Sequence, residues 1–283
     1  MNSDFPLIVA FVKDLNASVR IETAAEKQGF EIKIIETAEQ IAPPDDHKSA
    51  HQVAEPIKGR NGVFLDKITR WQPALVIFDL GNNSVPWAEW ITILSSGSAT
   101  RGMPVLCYGS HVNSDTLKSA KYAGAQKVVA RSKFFAELPE LIAKYARVID
   151  IDQIRESCTE PLPHKAVKGL EKFNRGQYFE AHDLLELAWM EDDPPGRDLY
   201  RAILQISVAY YQIERKNYNG AVKVFLRLRK WIDPLPDTCR GINIEKIRAE
   251  VREINRILIE LGPDRIDEID LGLMRPIEYT LLN

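Results

Sequence analysis

The sequence is poor in cysteine. Cys107, Cys158 and Cys239 lie far apart and form no C-x-x-C pair, a pattern that predicts neither a disulfide framework nor a zinc ribbon and fits a reducing cytoplasm. Long hydrophobic runs are also missing. No stretch approaches the ~18 uninterrupted apolar residues of a membrane span. The opening MNSDFPLIVAFVKD has only a short apolar run with no basic residue before it, so neither a signal peptide nor a membrane partner is expected. An excess of positive charge is absent too. The formal net charge is −3 and no Lys/Arg block stands out, which argues against a nucleic-acid partner held by massed phosphate neutralisation. What remains is a globular composition, 45% apolar and 27% charged over 283 residues, enough for two ordinary domains.

Residues 1–148 alternate short apolar runs with helical periodicity. The expected strands are 7–12, 31–35, 74–79, 104–109 and 127–132, and the expected helices are 16–28, 62–71, 113–123 and 134–146. Runs such as LIVAFV and ALVIFD are continuously apolar, as parallel strands covered on both faces must be. Five such units predict an α/β, doubly wound, five-stranded parallel sheet of flavodoxin-like type. Ligands in such sheets sit at the carboxyl ends of the strands, which singles out Asp79. An inserted loop over IAPPDDHKSAHQVAEPIKGRNG carries His47 and His51 four residues apart. The spacing suits a metal on a helix, but the Pro-Pro turn and polar surroundings favour solvated surface.

The run QPALVIFDLGNNSVP, then MPVLCYGS and YAGAQKVVARSKF, resembles a response-regulator receiver domain over nearly all of residues 5–148. The resemblance implies an acid pair for Mg²⁺ after the first strand, a phosphate-accepting Asp after the third, a hydroxyl after the fourth and a lysine after the fifth. Those positions fall on Val12 and Lys13, Asp79, Gly109 and Arg131, so only the acceptor is retained, with Asp14 one residue beyond the lost pair. Without metal ligands to offset the charge of phosphoryl transfer, a phosphorylation-incompetent pseudo-receiver is expected. Asp79 is then an inactive acceptor held by backbone amides.

Beyond residue 148 no strand pattern remains. A linker is expected at 149–163 and a helical bundle at 164–283, with about five helices at 164–175, 177–190, 197–215, 218–232 and 243–261. On a wheel of GQYFEAHDLLELAW the apolar arc holds Tyr178, Ala181, Leu184, Leu185, Ala188 and Trp189. His182 and Glu186, at i and i+4, sit together at its edge. Asp183 lies further round, and Glu180 faces away in the first turn, where the helix dipole favours a carboxylate. The helix LYRAILQISVAYYQIER is apolar on both flanks of a narrow stripe of Arg201, Gln205 and Gln212. A helix buried on both flanks must partner its polar stripe, and the His182/Glu186 edge is the nearest supplier.

FNRGQYFEAHDLLELAW and RDLYRAILQISVAYYQIERKNYNGA resemble, over about 165–232, the domain-of-unknown-function family numbered 309. Its small helical proteins are sometimes described as predicted metal-dependent hydrolases. The resemblance carries over Glu180, His182, Asp183, Glu186, Arg197, Gln205 and Asn217 as the polar positions. The helix glycine of the family is Ala202 here, and a frequent histidine is Gln212, an amide and a poor transition-metal ligand.

Two functions follow. In one, the chain is a signalling or ligand-binding protein: the pseudo-receiver docks a protein partner or a second copy, and the helical domain binds a small ligand through Asp183, Arg197, Arg201, Gln205, Gln212 and Asn217. In the other it is a metal-dependent hydrolase, with His182 and Glu186 holding Zn²⁺, Mn²⁺ or Ni²⁺ or acting as a base pair. The binding reading is preferred, because one of the family histidines is gone.

Overall fold

The computed structural model describes residues 5–42, 59–97 and 99–282; His47 and His51 lie outside them. The described residues divide into two compact units, one through Ile149 and one from Asp150 onward.

The first unit is the expected doubly wound sheet. Strands β1 (Leu7–Phe11), β2 (Glu31–Ile35), β3 (Leu75–Asp79), β4 (Val105–Gly109) and β5 (Lys127–Ala130) are all parallel, in the order β2-β1-β3-β4-β5. Every residue of β3 and β4 is buried. Alternation sends Val9, Phe11, Val76, Phe78 and Cys107 into one core and Ile8, Ala10, Ile77, Leu106 and Tyr108 into the other. The first core is closed by α2 (Ala38–Ile41), α3 (Arg60–Trp71), α4 (Trp87–Ser96) and α5 (Ser114–Tyr122), the second by α1 (Leu15–Glu26), α6 (Arg131–Ala136) and α7 (Leu138–Tyr145).

Two features differ from expectation. Helix α4 was not foreseen, because WAEWITILSS buries Trp90, Ile91, Ile93 and Leu94 together and its β-branched residues blur the helical period. The single helix expected at 134–146 is broken at Glu137 (φ −114°, ψ 21°), just ahead of Pro139, and its first piece begins at Arg131, where strand was expected. A proline in the first helical turn is well placed to start α7.

The second unit is helical. Helices α8 (Ile151–Ser157), α9 (His164–Asn174), α10 (Tyr178–Glu191), α11 (Asp198–Glu214), α12 (Tyr218–Ile232) and α13 (Ile244–Leu261) share one core. The segment expected as a linker contributes Ile154, Cys158 and Leu162 to that core. A short antiparallel hairpin, β6 (Thr238–Cys239) and β7 (Ile242–Asn243), interrupts the helices where no strand was anticipated. Its turn residues Arg240 and Gly241 both have positive φ (50° and 78°). A Cβ on Gly241 would lie 2.0 Å from the Thr280 carbonyl oxygen, so the C-terminal segment packs on its own chain.

The expectation of unpaired cysteines is corrected. Cys158 and Cys239, 81 residues apart, form a disulfide with Cα atoms 4.4 Å apart, a pairing that spacing alone cannot reveal; Cys107 is free and buried. Beside the bridge, the Arg240 guanidinium, 2% exposed, donates to Asp192 (2.7 Å), to Glu160, to the Tyr200 phenol and to the Ser157 carbonyl oxygen (3.1 Å). Its backbone N–H donates to the Cys158 carbonyl oxygen at 2.7 Å. One side chain thus ties the ends of α8 and α10 to α11 and the hairpin.

Close approach of α9 and α10 depends on Gly169. A Cβ there would sit 2.8 Å from Leu185 Cγ, in the core beneath the candidate site. Alanine is the better helix former by about 1 kcal/mol, but overpacking a tight core costs about 1–3 kcal/mol. Gly169→Ala is therefore expected to lower the urea midpoint; an unchanged or raised midpoint would show that the two helices can part at little cost.

Candidate functional site

At the carboxyl edge of the sheet, Asp79 ends β3 and is buried. Its Oδ1 accepts the Gly81 N–H at 2.9 Å, and its Oδ2 accepts the Tyr108 phenol at 3.0 Å and Arg131 Nη1 at 3.3 Å. Arg131 Nη2 reaches Asp14 Oδ2 at 2.8 Å. Asp14 is itself the N-cap of α1, its Oδ1 accepting the Ala17 N–H at 2.8 Å. That backbone bond, with the Arg131 charge, holds the Asp14 carboxyl below the usual carboxylate range. Burial, then the Asp79 charge, pushes the Tyr108 phenol up, so it stays a donor.

The lost receiver positions follow from local packing. Val12 is fully buried in the core. Lys13 turns outward to Ser84 Oγ at 3.3 Å. A Cβ on Gly109 would press on Leu117 and Leu80 at 3.2 and 3.3 Å, so the hydroxyl position has been given over to close packing. Asp79 is held by one backbone amide, a phenol and a guanidinium, where amides alone were expected. Tyr108 escaped the sequence reading, although its register opposite Asp79 on the neighbouring strand brings the two side chains to one face.

In the helical unit, Tyr178, Ala181, Leu185 and Ala188 of α10 are buried as the wheel requires. His182 Nδ1 lies 3.1 Å from Asp183 Oδ1. Glu186 is exposed and makes no hydrogen bond or ion pair among the described residues, so His182 is joined to its sequence neighbour and not to Glu186. Glu180 is exposed in the first turn. Among the described residues no group of three or more His, Cys, Asp or Glu side chains is placed to hold a metal ion.

The polar stripe of α11 divides. Gln212 Oε1 accepts from Asn217 Nδ2 at 2.6 Å, and Asn217 Oδ1 caps α12 by accepting the Gly220 N–H at 3.0 Å. These two residues build the joint between helices, which a Cβ on Gly220 would crowd, 2.8 Å from Gln212 Oε1. Arg201 instead lies against two indoles, 4.6 Å from the Trp189 ring centre and 4.0 Å from that of Trp231, and Arg197 lies 5.2 Å from Trp189. Trp189 Nε1 and Gln205 Oε1 are buried without a hydrogen-bond partner. Burial pushes the Asp198 carboxyl up against the opposing charges of Arg201, Arg197 and Lys230. Burial pulls the Arg201 guanidinium down. Trp231 and Asp198 were not foreseen; the tryptophan lies 30 residues along the chain from Arg201, and only the helix packing brings them together.

These features define a receiver-like α/β domain, with Asp79 tied to an arginine, followed by a helical domain. Residues 167–224 match the model of the domain of unknown function DUF309. An uncharacterised protein of Aquifex aeolicus (strain VF5) is 26% identical over 83 residues, 29% of this chain; the chain spans about a quarter of that relative's length. Solved structures similar to the first half include the receiver domain of NtrX from Brucella abortus (16% identity, 49% of this chain and 94% of that one, TM-score 0.35). They also include the chemotaxis response regulator CheY4 of Vibrio cholerae (11% identity, 50% and 98%, TM-score 0.37). No helix among the described residues is long and apolar enough to cross a membrane.

If Arg131 exists to neutralise a buried carboxylate, its removal should hurt through Asp79. Arg131→Met is expected to destabilise the first unit by about 2 kcal/mol, and adding Asp79→Asn to recover at least half of that in urea denaturation. Strictly additive losses in this double-mutant cycle would deny the coupling.

Proposed function

We propose that the chain is a non-catalytic signalling and ligand-binding protein: a receiver-like domain that does not take phosphate, joined to a helical domain that binds a small ligand at the α10–α11 face. The bridge from Arg131 to Asp79 and Asp14 carries this reading. An aspartate that accepts phosphate needs a bound metal to offset charge on the transferring group. Here the cation beside Asp79 is a guanidinium bonded to two carboxylates, the first-strand position is a buried valine, and the position matched to the hydroxyl is Gly109 at the end of β4, with Ser110 one residue on. Coordination of Mg²⁺ by Asp14 would have to compete with the charge of Arg131, 2.8 Å from its Oδ2.

In the helical domain, Arg197, Arg201 and Gln205 are the residues proposed to meet the ligand. The pairing of His182 with Asp183, leaving Glu186 in solvent, supports binding over a metal-dependent hydrolase built on His182 and Glu186. A receiver-like surface freed from phosphorylation suits constitutive docking of a protein partner or a second copy.

Incubation with acetyl phosphate and Mg²⁺ is expected to leave the intact mass unchanged. A gain of one phosphate that disappears in Asp79→Asn would overturn the proposal.

A further inference from the structure

Two arginines of the described residues spend donors on partners within the fold. Arg131 reaches two carboxylates, and Arg240 reaches two carboxylates, a phenol and a carbonyl. Arg201 and Arg197 differ. Both are half-buried and have aromatic rings beside them, yet neither side chain donates a hydrogen bond or forms an ion pair with a carboxylate among the described residues. Stacking engages the face of a guanidinium, whereas its N–H donors point outward in the plane of the group. Two indoles about 4 to 5 Å from Arg201 restrict that plane before any ligand arrives, so less side-chain entropy remains to be lost on binding.

The surrounding charge selects the ligand. Arg197 and Arg201 both act electrostatically on Asp198, and Asp198 and Arg197 act on Arg201; two guanidinium groups against one carboxylate favour an anionic ligand. A phosphate monoester carries about −1.5 to −2 near neutral pH, and its planar faces of oxygens suit forked guanidinium donors better than a point charge. We propose that Arg201 and Arg197 form a phosphate-binding site for a small phosphorylated ligand, with Trp189 and Trp231 holding Arg201 in position. This rests on the reading of the helical domain as a ligand-binding module and names the chemical class of its ligand.

The test uses the full chain at constant ionic strength, with calorimetry and tryptophan fluorescence as readouts. Phenyl phosphate is the phosphate probe and citrate the carboxylate probe. Phenyl phosphate is expected to bind, at least ten-fold more weakly in Arg201→Gln and several-fold more weakly in Arg201→Lys, which keeps the charge and loses the fork. Arg252→Gln on α13, an exposed arginine elsewhere in the unit, is expected to stay within two-fold of the parent chain. Circular dichroism confirms that each variant is folded, and Arg201→Lys serves if Arg201→Gln is not. Citrate binding that is lost in Arg201→Gln, without phenyl phosphate binding, overturns the phosphate assignment while leaving the ligand-binding reading standing. No binding of either probe overturns the assignment, as does an equal loss in Arg252→Gln. Phenyl phosphate affinity within two-fold of the parent in Arg201→Gln overturns both the assignment and the placement of the ligand at this face.

Discussion

A carboxylate buried at the end of a central strand must be neutralised, and around Asp79 this need organises the whole carboxyl edge of the sheet. Desolvating an isolated carboxylate is far too costly to leave unanswered. Arg131 supplies the countercharge and Tyr108 and Gly81 the hydrogen bonds. The arginine is in turn fixed by Asp14, which is fixed by the first turn of α1. A chain of contacts therefore runs from the α1 N-cap through Arg131 to β3 and β4. In a chain with a bound metal, the ion would carry that countercharge and could leave. Here the countercharge is covalently part of the fold.

The helical unit solves a similar problem differently. Arg240 is buried to the same degree as the core aliphatics around it, but its partners come from places distant in sequence: Glu160 after α8, Asp192 at the end of α10, Tyr200 on α11. Such a cation cannot be satisfied until those elements have assembled. The adjoining Cys158–Cys239 bridge and the Gly241–Thr280 contact fall at the same corner, so the hairpin, the segment after α8 and the C-terminus are all anchored there. Isolated buried pairs are weak evidence for stability; a fully bonded guanidinium at a junction of several elements is better understood as specifying which arrangement forms.

The sheet was legible because buried parallel strands must be continuously apolar, and LIVAFV and ALVIFD satisfy that without help from tertiary context. That Arg131 follows the fifth strand was readable from position along the chain, but its reach to both Asp79 and Asp14 was not. Helix α4 was hidden because its buried residues fill more than one face. The corner built by Arg240 was invisible for another reason. A lone arginine in DTCRG reads as turn surface, and only its long-range partners make it internal. The wheel set His182 at the edge of the apolar arc and paired it with Glu186, whereas the structure joins it to Asp183, because a wheel fixes the direction of each Cβ but not the rotamer that decides which neighbour a side chain meets. Gln212 and Gln205 share a stripe on α11, but Asn217 lies within reach of only the first.

That last contrast separates structural from receptive polarity. Arg131, Arg240 and Gln212 are polar groups hydrogen-bonded within the fold, and removing any of them damages something already built. Arg201 and Arg197 lie against tryptophan rings, a cation–π contact that uses charge and surface and does not itself spend N–H donors. Placing the Arg197 and Arg201 guanidinium groups against the half-buried Asp198 costs the fold desolvation, and burial pulls the Arg201 guanidinium below its ordinary range. Packing alone gives no reason for a helix face to concentrate cations in this way, because apolar or alternating charges would cover the indoles at less cost. The strain is intelligible if the balance is completed from outside, by an anion that supplies what Asp198 alone cannot.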